Sequence, residues 1–185
     1  LDSNTLYIIS VGRCHWIKGY TFALDAMAIL KKEGVQFHYT IIASGKDHEN
    51  IRYQIHDLGL NEFVTFMNGL SHNEVIEELS KSGLFLLPSL EEGISNSALE
   101  AMAIGIPVIS TDCGGMSEVI KNGENGFIVP VRESGSMATE IKKYIEIHKQ
   151  EKLEIIENAG RTIAENYLLD DQVDKMVQLY HTHSL

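Results

Sequence analysis

The sequence predicts an α/β domain: a parallel sheet with helices packed on both faces. Three observations carry that expectation. Short apolar, β-rich runs alternate with segments of helical spacing, and the loops between them are short and often marked by glycine. The strand runs are apolar at successive positions instead of alternately, as burial on both faces demands. Together these describe a doubly wound, Rossmann-like sheet of about six strands, with extra helices after the last strand.

Each element has its own signal. Residues 5–11 form a β-rich apolar run that stops at Gly12. Residues 20–33 place Phe22, Ala26, Ile29 and Leu30 on one helical face and end at Gly34. Residues 37–43 read as a strand, 48–58 as a helix closed by Gly59, and 63–67 as a strand. Ser71 and Glu74 have the spacing of a capping box ahead of Val75, Ile76 and Leu79. Residues 84–87 are a fully apolar strand running into Pro88. A helix over 96–104, a strand over 107–110, a short helix over 116–120 and a last strand over 126–129 follow. Beyond Pro130 only helical spacing remains, up to Leu179 and Tyr180.

The totals bound the function. The chain has 185 residues, 44% of them hydrophobic, enough for one well-cored domain over 1–185. A formal net charge of −11 argues against a nucleic-acid partner and against adsorption to anionic lipid. No apolar run reaches the roughly 18–20 residues that span a bilayer, so no transmembrane segment is expected. The longest, 101–109, is interrupted by Gly105 and Pro107. No basic segment followed by an apolar core opens the chain, which begins almost directly with a strand, as an excised domain would. Cys14 and Cys113 lie in unrelated segments without metal-ligand spacing, which fits a reducing compartment.

In doubly wound sheets ligands gather at the carboxyl ends of the strands, so the loops after Val11, Ala43, Met67, Leu87 and Ser110 are the places to search. The first loop carries Gly12, Arg13, Lys18 and Gly19, two cations beside a helix start, which suits an anion such as a diphosphate. Taken alone, these residues describe an ordinary surface loop with two solvated charges better than an anion site. The stretch from Pro88 to Ala103 holds Glu92 in a loop and Glu100 about one turn into the next helix. Helical side chains lean toward the N-terminus, so Glu100 can reach back toward that loop, and two carboxylates there suit the paired hydroxyls of a sugar or ribose. The N–H groups of Ser95 to Ser97 open the helix and can meet a phosphate. Gly114 and Gly115 permit either a close backbone approach or a tight turn. His15 and His72 have no partner visible in the sequence. No Gly-x-Gly-x-x-Gly, Walker A or Gly-x-Ser-x-Gly pattern is present, which leaves NAD, ATP and hydrolase modules without support.

Read in order, these motifs resemble the C-terminal domain of family 4 (group 1) glycosyltransferases, enzymes of the GT-B fold. The resemblance rests on Gly12 and Arg13 with Lys18 and Gly19, Pro88 and Ser89 with Glu92 and Gly93, and Glu100 to Ala103. It continues through Gly105 to Val108, Gly114 and Gly115 with Glu118 to Ile120, and Asn125 to Pro130. It covers about residues 6–131. It implies that Arg13 and Lys18 bind the diphosphate of a UDP- or GDP-sugar and stabilise charge on the leaving nucleotide, with Glu92 contacting the donor sugar. It also implies that Glu100 holds the ribose hydroxyls, that Gly12, Gly93, Ile94, Ser95, Asn96 and Ser97 contact the donor, and that Gly69 and Leu70 lie against the nucleobase. Transfer with retention of configuration, without a metal ion or further cofactor, is likewise implied; a cytoplasmic location is expected from the lack of a visible signal segment and from where activated sugars are usually made.

Two departures concern the donor: Ala43-Ser44-Gly45 keeps only the second of two customary glycines, and Ile94-Ser95 replaces an aromatic-glycine pair. A third is that the N-terminal acceptor-binding domain of such enzymes is absent from this chain, so little transferase activity is expected of it alone. A sugar phosphorylase, a sucrose-synthase-like enzyme and a stand-alone nucleotide-sugar-binding module share the same expected domain. A receiver-like signalling domain would need acids where Arg13 and Lys18 stand.

Overall fold

A computed structural model describes residues 5–45 and 48–167. Among the described residues six strands form one parallel sheet in the order β3-β2-β1-β4-β5-β6. They are β1 (Leu6–Arg13), β2 (Phe37–Ser44), β3 (Val64–Met67), β4 (Leu84–Leu87), β5 (Val108–Thr111) and β6 (Phe127–Val129). The α-helices among the described residues are α1 (Tyr20–Lys32), α2 (Glu49–Asp57), α3 (His72–Ser80), α4 (Asn96–Ala103), α5 (Met116–Val119), α6 (Ser134–Glu146) and α7 (Lys149–Asn166). The helical spacing read over the last residues, Leu179 and Tyr180 included, lies outside the described residues.

Side chains at successive strand positions leave the sheet on opposite faces. Ile8, Leu84 and Leu86 therefore join a core with Leu24, Met27 and Leu30 of α1 and Met137 and Ile141 of α6. Their neighbours Ile9, Phe85 and Leu87 join a second core with Ala98, Ala101 and Met102 of α4 and Ala159 and Ile163 of α7. The continuous apolar runs are thus explained by two cores, one on each face.

Element bounds differ from the expected ones where pairing decides. β1 runs past Gly12 to Arg13 because its register with β2 continues to the pair Arg13 and Ser44. Pro107 precedes β5, its carbonyl accepting from Phe85 N–H at 2.9 Å. The capping box is present: Ser71 N–H donates to Glu74 Oε2 at 2.7 Å, and Glu74 N–H to Ser71 Oγ at 3.4 Å. Strand order reverses between β1 and β4, so a crevice is expected beyond their carboxyl ends.

Candidate functional site

The chain leaves β1 at Arg13, makes a 3-10 turn over Trp16–Lys18 and enters α1 through Gly19, whose φ is 65°. That turn is fixed by backbone hydrogen bonds: Cys14 N–H donates to Ser44 O at 2.6 Å and Gly19 N–H to Trp16 O at 3.0 Å. It is also fixed from across the switch point, where Leu90 N–H, after β4, donates to Ile17 O at 2.7 Å. A Cβ on Gly19 would lie 1.9 Å from Pro88 O, so only glycine lets the two loops meet this closely.

Those contacts bring together residues 74 positions apart. Lys18 Nζ lies 2.5 Å from Glu92 Oε2, with both side chains mostly buried at 12% and 18% exposure. Ser89 Oγ donates to the same carboxylate oxygen at 3.2 Å. Arg13, Lys18, Glu92 and Gly93 line one cavity of about 420 Å³ together with Ile17 and Glu91. Lys18 carries three donors, so it can keep Glu92 and still offer N–H groups to an anion. The floor is built to leave room for the lysine stem: a Cβ on Gly12 would lie 3.4 Å from Lys18 Cε and 2.9 Å from the Tyr20 hydroxyl. Burial foremost, then Tyr39, Cys14 and Glu92 nearby, hold the Tyr20 phenol well above its ordinary pKa, so it stays neutral beneath the cleft.

Behind the loop that carries Glu92 and Gly93 stands a glycine pair. Gly114 has φ 58°, and a Cβ there would lie 1.7 Å from Glu92 O. Gly115 N–H donates to Gly93 O at 2.9 Å. Both readings of this pair are met at once: the turn needs positive φ, and the loop carrying Glu92 presses on it. Beneath lies support that spacing did not reveal. Thr111 Oγ1 donates to Ser89 O at 2.5 Å, and buried Ser89 positions Glu92.

Other residues stand apart from this cavity. Gly19 and Tyr20 are buried and do not line it, so the α1 N-terminus is turned against Pro88 and the two cations face the space instead. Ser95 N–H donates to Met116 Sδ at 3.4 Å, which turns that amide into the protein and away from a phosphate. Ala98 and Leu99 N–H groups both donate to Ser95 O, leaving the amides of Asn96 and Ser97 at the mouth of α4. Ser97 Oγ donates to Val11 O at 3.1 Å, tying that mouth to the end of β1. Ile94 is 37% exposed beside it. Glu100 is half-buried on α4 and does not line the cavity. Gly69 and Leu70 follow β3 at the sheet edge, two strands from β1; Gly69 has φ 77° with open space around it, and Leu70 packs partly on the second core. Neither cysteine forms a disulfide. Among the described residues no group of three or more His, Cys, Asp or Glu could hold a metal ion, and no helix is long and apolar enough to cross a membrane.

Comparison with known proteins adds an independent observation. The sequence pattern of the family described as "Glycosyl transferases group 1" matches residues 1–162. A Salmonella typhimurium protein named for a glycosyltransferase of colanic acid biosynthesis is 31% identical over 168 residues, covering 88% of this chain and 41% of its own length. An amylovoran biosynthesis glycosyltransferase of Erwinia amylovora is 34% identical over 139 residues, covering 72% of this chain and 34% of its own length. The chain therefore spans less than half of these relatives. An Anabaena protein solved with UDP and glucose shares the fold with a TM-score of 0.87 at 22% identity, over 97% of this chain and 49% of that one.

Proposed function

The chain belongs to the glycosyl transferases group 1 family, and from that premise we propose that it is the nucleotide-sugar-binding half of a retaining, family 4 glycosyltransferase. The observation that carries the reading is the shared cavity of Arg13, Lys18 and Glu92 at the switch point between β1 and β4. A local cationic pair in a chain of net charge −11 needs a reason, and a diphosphate supplies one. In this reading Arg13 and Lys18 take the diphosphate. Glu92, held by Lys18 and Ser89, faces the donor sugar. Glu100 receives the ribose hydroxyls from the α4 side, with the Asn96 and Ser97 amides close to sugar or phosphate. Gly69 and Leu70 lie toward the base.

The chemistry follows from charge. The bond between the sugar C1 and the β-phosphate oxygen breaks, its electron pair leaves on the diphosphate, and an acceptor hydroxyl adds to the same face of an oxocarbenium-like sugar, passing its proton to the departing diphosphate oxygen. Two cations aimed at the departing diphosphate stabilise the charge that develops there. No bound metal enters this account. The acceptor contacts belong to a further domain of the whole protein, so this chain alone is inactive in transfer, and a cytoplasmic supply of activated sugar fits the reading.

UDP is the first nucleotide to test, since the Anabaena protein of the same fold was solved with it. Calorimetric titration of this chain with UDP and GDP is expected to show saturable binding of one of them. Lys18→Ala should weaken it roughly ten- to a hundredfold, as loss of a charged hydrogen bond does, and Glu100→Ala by about tenfold. Wild type and both variants binding alike would remove the assignment.

A further inference from the structure

The turn over residues 13–19 has a second side. Besides the cavity of Lys18 and Glu92, with which it shares no lining residue, a smaller hollow of about 220 Å³ is lined in part by His15, Trp16, Thr21, Asn50 and Ile51. Trp16 is the sole tryptophan of the chain and is 70% exposed. Among the described residues nothing covers this large indole. The backbone that carries it is fixed, because the turn is hydrogen-bonded at Cys14, Ile17, Lys18 and Gly19. His15 stands beside it, ring centres 5.7 Å apart. His15 Nδ1 accepts from Ile17 N–H at 3.4 Å, which in the neutral ring leaves Nε2–H as a donor. Thr21 and Asn50 add an exposed hydroxyl and an exposed amide.

We propose that this hollow is a carbohydrate subsite, in which a pyranose ring stacks on Trp16 and hydrogen-bonds to His15, Thr21 and Asn50. The chemistry matches on both counts. One face of a pyranose is a plate of C–H groups, and the face of an indole is apolar and carries partial negative charge, so the two attract and exclude water. The sugar's rim of hydroxyls needs both donors and acceptors, which the imidazole, hydroxyl and amide provide. A rigid platform loses little freedom on binding. A nucleobase would also stack, but the α4 side of the sheet holds Glu100, whereas this hollow lies on the α1 and α2 side. One short turn separates the two cavities, so a glycan held here lies next to the donor pocket and extends the acceptor site. That last step rests on the proposed function, while the sugar site itself rests on the hollow.

The sole tryptophan provides the readout. The chain is titrated with methyl glucopyranoside, mannopyranoside and galactopyranoside while Trp16 emission is followed, and UDP and GDP binding is measured separately by calorimetry. At least one glycoside is expected to give a saturable emission change. Asn50→Ala should weaken that response roughly three- to tenfold, the worth of one hydrogen bond, with nucleotide affinity unchanged. Calorimetry on Trp16→Ala should show the glycoside lost and the nucleotide retained. No saturable response to any glycoside overturns the subsite, as does competition between nucleotide and glycoside for the Trp16 signal. A glycoside response without nucleotide binding keeps the subsite and removes the donor assignment instead.

Discussion

The two ends of the sheet use the same backbone conformation for different purposes. At the amino ends of the strands, Gly34 and Gly105 have φ of 77° and 83° where α1 and α4 finish; a side chain on Gly34 would meet open space, and one on Gly105 only the Ile156 side chain at 3.4 Å. At the carboxyl ends, Gly19 and Gly114 have φ of 65° and 58°, and a side chain on either would strike a backbone carbonyl within 2 Å. The first pair needs only the left-handed conformation. The second pair needs that and the absence of a Cβ, because the loops holding Lys18 and Glu92 are pressed against their neighbours. Turning a helix into a strand is thus forgiving, and building the cavity is not.

Substitution can break this contrast. Gly114→Ala and Gly19→Ala are expected to have the largest effect, at least about 3 kcal/mol of stability, from the left-handed strain together with overpacking against backbone. Denaturant unfolding checks that figure, and any folded fraction should have lost nucleotide binding. Gly34→Ala should cost only about 1 kcal/mol and leave nucleotide affinity as it was. Equal costs for Gly34→Ala and Gly114→Ala would erase the difference between the two ends.

Alkali tests both ends through their phenols. Tyr20 lies under Gly12 at the cleft, while Tyr144 donates to Gly83 O, ahead of β4, at 3.0 Å. Burial raises both above the ordinary tyrosine value of 10, Tyr144 to about 12. The unfolded chain therefore releases these protons first, so stability is whole below pH 10 and falls as pH rises through 12. Unfolding midpoints measured from pH 8 to 12 should decline above 10, and Tyr144→Phe should make that decline shallower. A flat profile would contradict the buried, neutral phenols. The smallest effect is expected of Glu92→Gln: with no carboxylate competing for Lys18, UDP affinity should rise about threefold. A fall in affinity would mean that the ion pair positions Lys18 more than it occupies it.

Much of this was legible in the residues. Apolar runs and helical spacing placed the strands, and α1, α2, α4 and α5, to within two residues, and Ser71 with Glu74 announced its capping box; after Pro130 only helical spacing was legible, without bounds. The meeting of Lys18 and Glu92 was foreseeable only from motif order, because it depends on strand order, which no local spacing encodes. The direction of the Ser95 amide was not legible, since its sulfur partner is 21 residues away on α5. Nor was the closing of the α1 N-terminus against Pro88, a contact made by the backbone of a glycine that has no side chain to signal it. Arg13 reads as a loop residue because its strand character comes from pairing with Ser44, not from its own propensity.

The most direct test of the central claim is a crystal of this chain soaked with UDP and then with a panel of UDP- and GDP-sugars. The account predicts the diphosphate between Arg13 and Lys18, the sugar beside Glu92 and the ribose toward Glu100. A nucleotide bound elsewhere, with Lys18 still closed on Glu92 alone, would contradict it.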